Sequence, residues 1–182
     1  MRILKKVCGK LLYSIVTFFP STYLSFDFGA KFLRSICAHM IMEQCGENIT
    51  IEPHAKFSSK CRFGDNSGIG ARCVLAGEVH IGDNVMMGPD VYITTRNHRF
   101  DSIDSPICKQ GFTKEKKVVI GDDVWIGART IILPGVHIGK GTVIGAGTVI
   151  AKDIPPYAVV CGNPFRIIKY RNEIIDNNAN KK

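Results

Sequence analysis

Residues 120–151 read IGDDVWIGARTIILPGVHIGKGTVIGAGTVIA, with isoleucine at 120, 126, 132, 138, 144 and 150. Four places after each of the first five stands a β-branched residue: Val124, Thr130, Val136, Thr142 and Thr148. An amphipathic α-helix would place apolar residues at i, i+3, i+4 and i+7, and a half-buried strand would alternate with period two. A strict period of six fits neither. It reads instead as one short strand and one turn, repeated.

The same two phases extend towards the N-terminus. Large apolar residues stand at Ile51, Phe57, Phe63, Ile69, Leu75, Ile81, Met87 and Ile93, with small partners at Ala55, Cys61, Ser67, Cys73, Val79, Val85 and Val91. The period lapses after Ile93, resumes at Ile120 and ends weakly on Pro156. A six-residue repeat is the signature of a parallel β-helix in which three strand-and-turn units make one triangular coil. Large and small phases should both point inward and stack on their copies above and below. Glycines after the large residue, such as Gly82, Gly127 and Gly145, and the Asp-Asn, Gly-Lys and Ala-Gly pairs that follow should form corners, where tight turns or positive φ are needed.

The stretches IGDNVMMGPDVYITTRNH (81–98) and IGDDVWIGARTIILPGVHIGKGTVIGAGTVIAKDIPPYAVVCGNPFRIIK (120–169) resemble the hexapeptide-repeat acyltransferase family. The W-I-G, P-G-V, I-G-A-G and closing G-N-P-x-R-I-I-K elements come in that family's order and spacing. The likeness is nearest to the maltose and galactoside O-acetyltransferases and to the O-acetyltransferases of surface polysaccharides. It implies a left-handed β-helix, acetyl-CoA as acyl donor, a sugar or glycan hydroxyl as acceptor, and a homotrimer with its active sites in the clefts between subunits.

Composition agrees with one domain: 182 residues, 45% hydrophobic and 22% charged, enough for a single core. The net charge of +8 attracts nucleic acid, membrane surfaces and anionic small molecules alike. No zinc-finger spacing, helix-turn-helix or RNA-binding motif accompanies it, so nucleic acid is not an expected partner. Seven scattered cysteines without a C-x-x-C pair fit reduced thiols in a cytoplasmic protein, and no metal site is expected.

The lapse from Thr94 to Val119 inserts a loop longer than most connections in compact domains, a mark of function. A lone loop histidine is ordinarily surface. The resemblance implies that His98, at the mouth of this loop, is the catalytic base, and imidazole is suited to take a hydroxyl proton because it titrates near neutral pH. Asp101 and Asp104 are both candidates to orient it, and solvated loop carboxylates are the simpler reading of either. Trp125 occupies an outward repeat position, where a large apolar surface calls for a partner, and the resemblance gives it the wall of the acceptor or pantetheine site. By the same resemblance Ala128, Ala146 and Ala151 offer main-chain contacts to CoA, Lys152, Arg166 and Lys169 its phosphate cations, and Asn163 and Pro164 the adenine end. Packing at a corner is the competing reading of each alanine, and a solvated basic face that of each cation. His80 and His137 fall at outward repeat positions, His54 at a turn and His39 in the N-terminal helical pattern.

Residues 3–19 put Leu4, Val7, Leu11, Ile15 and Phe18 on one helical face, and residues 26–44 do the same with Phe28, Phe32, Ile36 and Met40, Gly46 offering a helix stop. The expected division is a helical cap over 1–46, the β-helix over 47–164 with its inserted loop at 94–119, and a basic segment and frayed tail over 165–182. Capping the open end of the β-helix is the simplest role for the helices. The run Arg2 to Phe19 imitates a signal peptide, but Pro20 ends the apolar run and no small-x-small cleavage site follows, so retention is expected. A basic amphipathic helix is also suited to lie on the inner face of a membrane. Competing activities are an amino-sugar N-acetyltransferase, an antibiotic or serine acetyltransferase, a γ-type carbonic anhydrase using His80, His98 and His137, and a scaffold without catalysis.

Overall fold

The computed structural model describes residues 2–24, 26 and 28–173; the expected frayed end lies partly outside them, at 174–182. The period-six residues form a left-handed parallel β-helix of about six turns, preceded by α-helices. Its parallel strands are two to four residues long because each must turn a corner before the next begins. On the first face Gln44–Cys45, Arg62–Phe63, Val79–Ile81, Val118–Ile120 and His137–Ile138 stack in parallel. The second face runs from Thr50–Ile51 and Gly68–Ile69 through Met86–Met87, Trp125–Ile126, Val143–Ile144 and Ala158–Cys161, and ends in Arg166–Tyr170, the one antiparallel strand among the described residues. The third face holds Lys56–Phe57, Val74–Ala76, Tyr92–Thr94, Ile131–Ile132 and Val149–Ile150.

Register carries each inward residue onto its own kind. Leu75, Ile93, Ile132 and Ile150 are direct neighbours on successive coils of the third face. The large phase is buried from Phe63 to Ile150, with Phe57 on the first coil only partly so, and the small phase from Ala55 to Thr148 is buried throughout. Hydroxyls in that small phase are satisfied locally: Thr130, Thr142 and Thr148 donate to the carbonyls of Gly127, Gly139 and Gly145 at 2.8, 2.7 and 2.6 Å, which removes the penalty of burying them. The final coil departs from the period. Ile154 fills the core place expected of Pro156, which is exposed, because Pro155–Pro156 turns the chain two residues early.

The corners meet both demands expected of them. Positive φ falls on Asn48, Asn66 and Asn84 (51°, 55° and 58°) and on Gly141 and Gly147 (69° and 70°), residue types that tolerate the left-handed region. Other corner glycines serve close approach. A Cβ on Gly127 would lie 2.5 Å from the Ala146 nitrogen and 2.7 Å from the Ile144 oxygen, so coil-to-coil distance alone demands glycine there. Aspartates tie these corners together: Asp65, Asp83 and Asp122 each accept the N–H of Glu47, Asp65 and Asp83 on the preceding coil, at 2.7, 2.7 and 2.9 Å.

Two helices lead into the first coil, α1 (Arg2–Val16) and α2 (Ala30–Ile41), both shorter than the 3–19 and 26–44 expected. Tight i→i−3 bonds from Phe18 to Ile15 and from Phe19 to Val16 end α1 just before Pro20. Left-handed Phe28 (49°) and Gly29 (73°) keep α2 from starting earlier. Gly46 is not its stop: Met42 is already extended, Gln44–Cys45 pairs with Arg62–Phe63, and Gly46 begins the stacked corner glycines.

α2 packs on the first strands and α1 on α2, but the expected apolar faces are not the ones these helices use. Leu4, Leu11, Ile15, Phe18, Phe28 and Phe32 are all more than 60% exposed, whereas Ala30, Arg34, Cys37, Ala38 and Ile41 are buried. Arg34 is fully buried and donates to the carbonyls of Ile51, Phe19 and Pro20, the last two at 3.2 and 3.1 Å. Buried Glu52 accepts from the hydroxyls of Ser21 and Thr22. Gly9 lets α1 approach α2 so closely that a Cβ there would lie 2.6 Å from that of Met40. Tyr13 donates to the Ala55 carbonyl at 2.7 Å and meets the Phe57 ring edge-on at 5.1 Å; burial pushes its hydroxyl up to about 12.

Candidate active site

The inserted loop leaves the third face after Thr94 and rejoins the first at Val118. Its two limbs are bound together on either side of His98. Thr113 donates to the Asn97 carbonyl at 2.8 Å, Arg99 to that of Gly111 at 3.0 Å, and the Asn97 N–H to the Thr113 hydroxyl at 3.0 Å. This pairing sets His98 opposite Phe112, the ring centroids 4.4 Å apart. The Arg96 guanidinium lies over the same ring at 4.2 Å. His98 is thus exposed yet held by backbone on both sides.

Below it opens a cavity of about 700 Å³, lined among others by Lys60, Tyr92, Arg96, His98, Glu115 and Ile131. Its floor is the third face and its far wall the returning limb. Glu115 fastens that limb: its carboxylate accepts the Glu78 N–H at 3.0 Å, the Thr95 hydroxyl at 3.1 Å and the Lys60 ammonium at 2.6 Å. The Lys60 hydrogen bond, helped by the other two donors, holds this carboxyl below its usual range. Gly77, at φ 103°, makes room, since a Cβ there would fall 1.8 Å from the Thr95 hydroxyl.

Neither expected carboxylate reaches His98. Asp101 pairs with Arg99 at 2.8 Å, the Asp104 N–H donates to the Ser102 hydroxyl at 3.2 Å, and among the described residues neither bonds to the imidazole. Trp125 is about half exposed on the second face, between Met86 and Val143 in register. His98 stands off the third face, so one chain does not bring the two together. His80 and His137 flank Val119 on the first face.

The residues expected at CoA form three groups. Ala151, Lys152, Asn163 and Pro164 line one groove of about 300 Å³ with Val149 and Phe165, the Lys152 ammonium 5.4 Å from the Phe165 ring. Ala128 and Ala146 stack one coil apart at the corner between the second and third faces, where the Ala128 carbonyl accepts the Gly147 N–H at 2.8 Å. Arg166 and Lys169 lie exposed on the terminal antiparallel strand, opposite Cys161 and Val159. Reading the sequence passed over Glu115, Lys60, Arg96 and Phe112. The only usable signal was one acid, Glu115, set within the basic run Lys114 to Lys117.

Residues 60–95 and 117–152 match the family described as bacterial transferase hexapeptide (six repeats), the two segments on either side of the inserted loop. A solved maltose O-acetyltransferase from Clostridium difficile superposes with a TM-score of 0.72 at 32% identity, covering 93% of this chain and 87% of that one. The chain belongs to the hexapeptide-repeat acyltransferase family. Within that family it is 39% identical over 140 residues to a galactoside O-acetyltransferase of Lactococcus lactis, a match spanning 73% of this chain and 65% of that relative, just under two thirds of its length. A galactoside acetyltransferase solved with coenzyme A gives a TM-score of 0.75 at 30% identity, over 96% of this chain and 84% of that one.

Proposed function

We propose that this hexapeptide-repeat protein is an acetyl-CoA-dependent O-acetyltransferase acting on a sugar or glycan hydroxyl, with His98 as general base. The observation that carries the reading is the backbone-clamped His98 at the mouth of a cavity of about 700 Å³, large enough for a saccharide. His98 accepts the acceptor's hydroxyl proton as that oxygen closes on the thioester carbonyl carbon, and returns the proton to the departing sulfur as the C–S bond breaks. Transfer is direct, so no side chain carries the acyl group. Acetyl-CoA supplies the activated acyl group; Ala151, Lys152, Asn163 and Pro164 would hold its far end, Ala128 and Ala146 the pantetheine, and Arg166 and Lys169 the phosphates.

A homotrimer follows from the same reading. With Trp125 on the second face and His98 off the third, they can serve one active site only if they come from neighbouring subunits, and half-exposed Trp125 beside Met86 is apolar surface suited to such a contact. Surface-polysaccharide synthesis on the cytoplasmic side is the setting that fits a glycan acceptor.

The test is release of CoA thiol by purified protein given acetyl-CoA and a panel of free sugars, glycosides, nucleotide sugars and lipid-linked oligosaccharides. Acceptor-dependent release should fall about 10²- to 10⁴-fold in His98→Ala, the range a positioned general base contributes. An unchanged rate in that variant overturns the assignment of His98.

A further inference from the structure

The outward face of α1 is a surface for which the acetyl-transfer reading has no use. Leu4, Val7, Leu11 and Ile15 form its stripe, at 67%, 47%, 65% and 63% exposure, over on the order of 16 Å of helix at 1.5 Å per residue. The opposite side of the same helix is clasped by the body through Gly9, Tyr13 and Val16. The helix is therefore already folded and anchored while its apolar side faces away from the core, the mark of a surface that meets a partner.

Charge identifies that partner. α1 contains Lys5, Lys6 and Lys10 and no acidic residue. At 100° per residue Lys5 falls on one flank of the stripe and Lys10 on the other, the arrangement in which lysine stems run along an apolar surface while their ammonium groups reach anionic headgroups. Among the described residues no helix is long and apolar enough to cross a membrane, and the 15 residues of α1 extend only about 22 Å against a hydrocarbon core of about 30 Å. The helix can lie in an interface but not span one. A second copy of this chain is a poorer occupant, because two such faces would bring their lysine flanks together.

We propose that α1 docks this protein on anionic lipid bilayers, its leucine and isoleucine stripe entering the acyl boundary and Lys5 and Lys10 meeting the headgroups. This is independent of the catalytic reading, since vesicle binding needs no acceptor and thiol release from a soluble acceptor needs no vesicle. The experiment is co-sedimentation of the full chain with phosphatidylcholine vesicles with and without phosphatidylglycerol, alongside Leu11→Glu and the double variant Lys5→Glu/Lys10→Glu, with thermal melting and light scattering of each. Binding should appear with phosphatidylglycerol, weaken with salt, and fall at least about tenfold in either variant, about 1.4 kcal/mol, while melting and molar mass stay those of the parent. Absence of binding to either vesicle, or binding that Leu11→Glu leaves intact, overturns the proposal. So does a loss of molar mass in Leu11→Glu, which would make the face a contact between copies.

Discussion

The β-helix and its helical cap both carry a clear apolar period, and the two regions use it in opposite ways. In the β-helix, the large residues from Phe63 to Ile150 are buried as the period requires. In the cap, most residues in phase are exposed, and the chain is held by Gly9, Tyr13 and Arg34, which stand between them, and by Glu52 of the first coil. A period identifies a face. Which way the face turns depends on whether the neighbouring structure offers a matching surface, and a β-helix stacks on its own repeat while a cap must fit a unique end.

The contrast can be broken most directly by truncating both faces. Ile126→Ala empties a fully buried place between Met87 and Ile144 and should lower unfolding free energy by about 2–5 kcal/mol, read by urea denaturation. Arg34→Met should cost about 3 kcal/mol in the same assay, as buried carbonyls deprived of their donor lose about 1–3 kcal/mol each. A smaller loss would mean that the carbonyls of Phe19 and Pro20 find water instead. Leu11→Ser, although it removes a residue in perfect phase, should change stability by less than about 0.5 kcal/mol; a loss comparable with that of Ile126→Ala would show α1's apolar face buried against protein.

A finer version of the comparison concerns the inserted loop, which has no period at all and whose returning limb is fastened by hydrogen bonds and an ion pair at Glu115. Glu115→Gln weakens the Lys60 ion pair, and limited proteolysis between residues 95 and 117 should then accelerate several-fold at neutral pH while the melting midpoint moves little. The pH dependence has a definite sign. Glu115 is held below its usual range by Lys60, so its contribution is full above the ordinary carboxylate value of about 4.3 and is lost as pH falls through the lowered one. The parent should approach the variant's cleavage rate only on that acid side.

The catalytic candidate was legible as a position and not as an environment. His98 stands out because it opens a long interruption in a strict repeat, yet of the acids near it in sequence Asp101 pairs with Arg99, and among the described residues neither it nor Asp104 bonds to the imidazole. The residues that do shape its surroundings, Phe112 and Glu115, lie on the returning limb, brought back by main-chain pairing that leaves no mark in residue spacing. The groove of Ala151, Lys152, Asn163 and Pro164 was more accessible to reading because the regular coil preceding it fixes where its walls stand.

What this sequence determined by itself is the repeat: the β-helix, its inward residues and the point where it is interrupted, since each coil meets only copies of itself and six residues of pattern specify every contact. Only the tertiary structure decided the orientation of the cap, which corner glycines serve close approach, the early turn at Pro155–Pro156 and the separation of Trp125 from His98 onto different faces. Those features arise where unlike elements meet, and there the outcome is set by fit and hydrogen bonding between residues far apart in the chain.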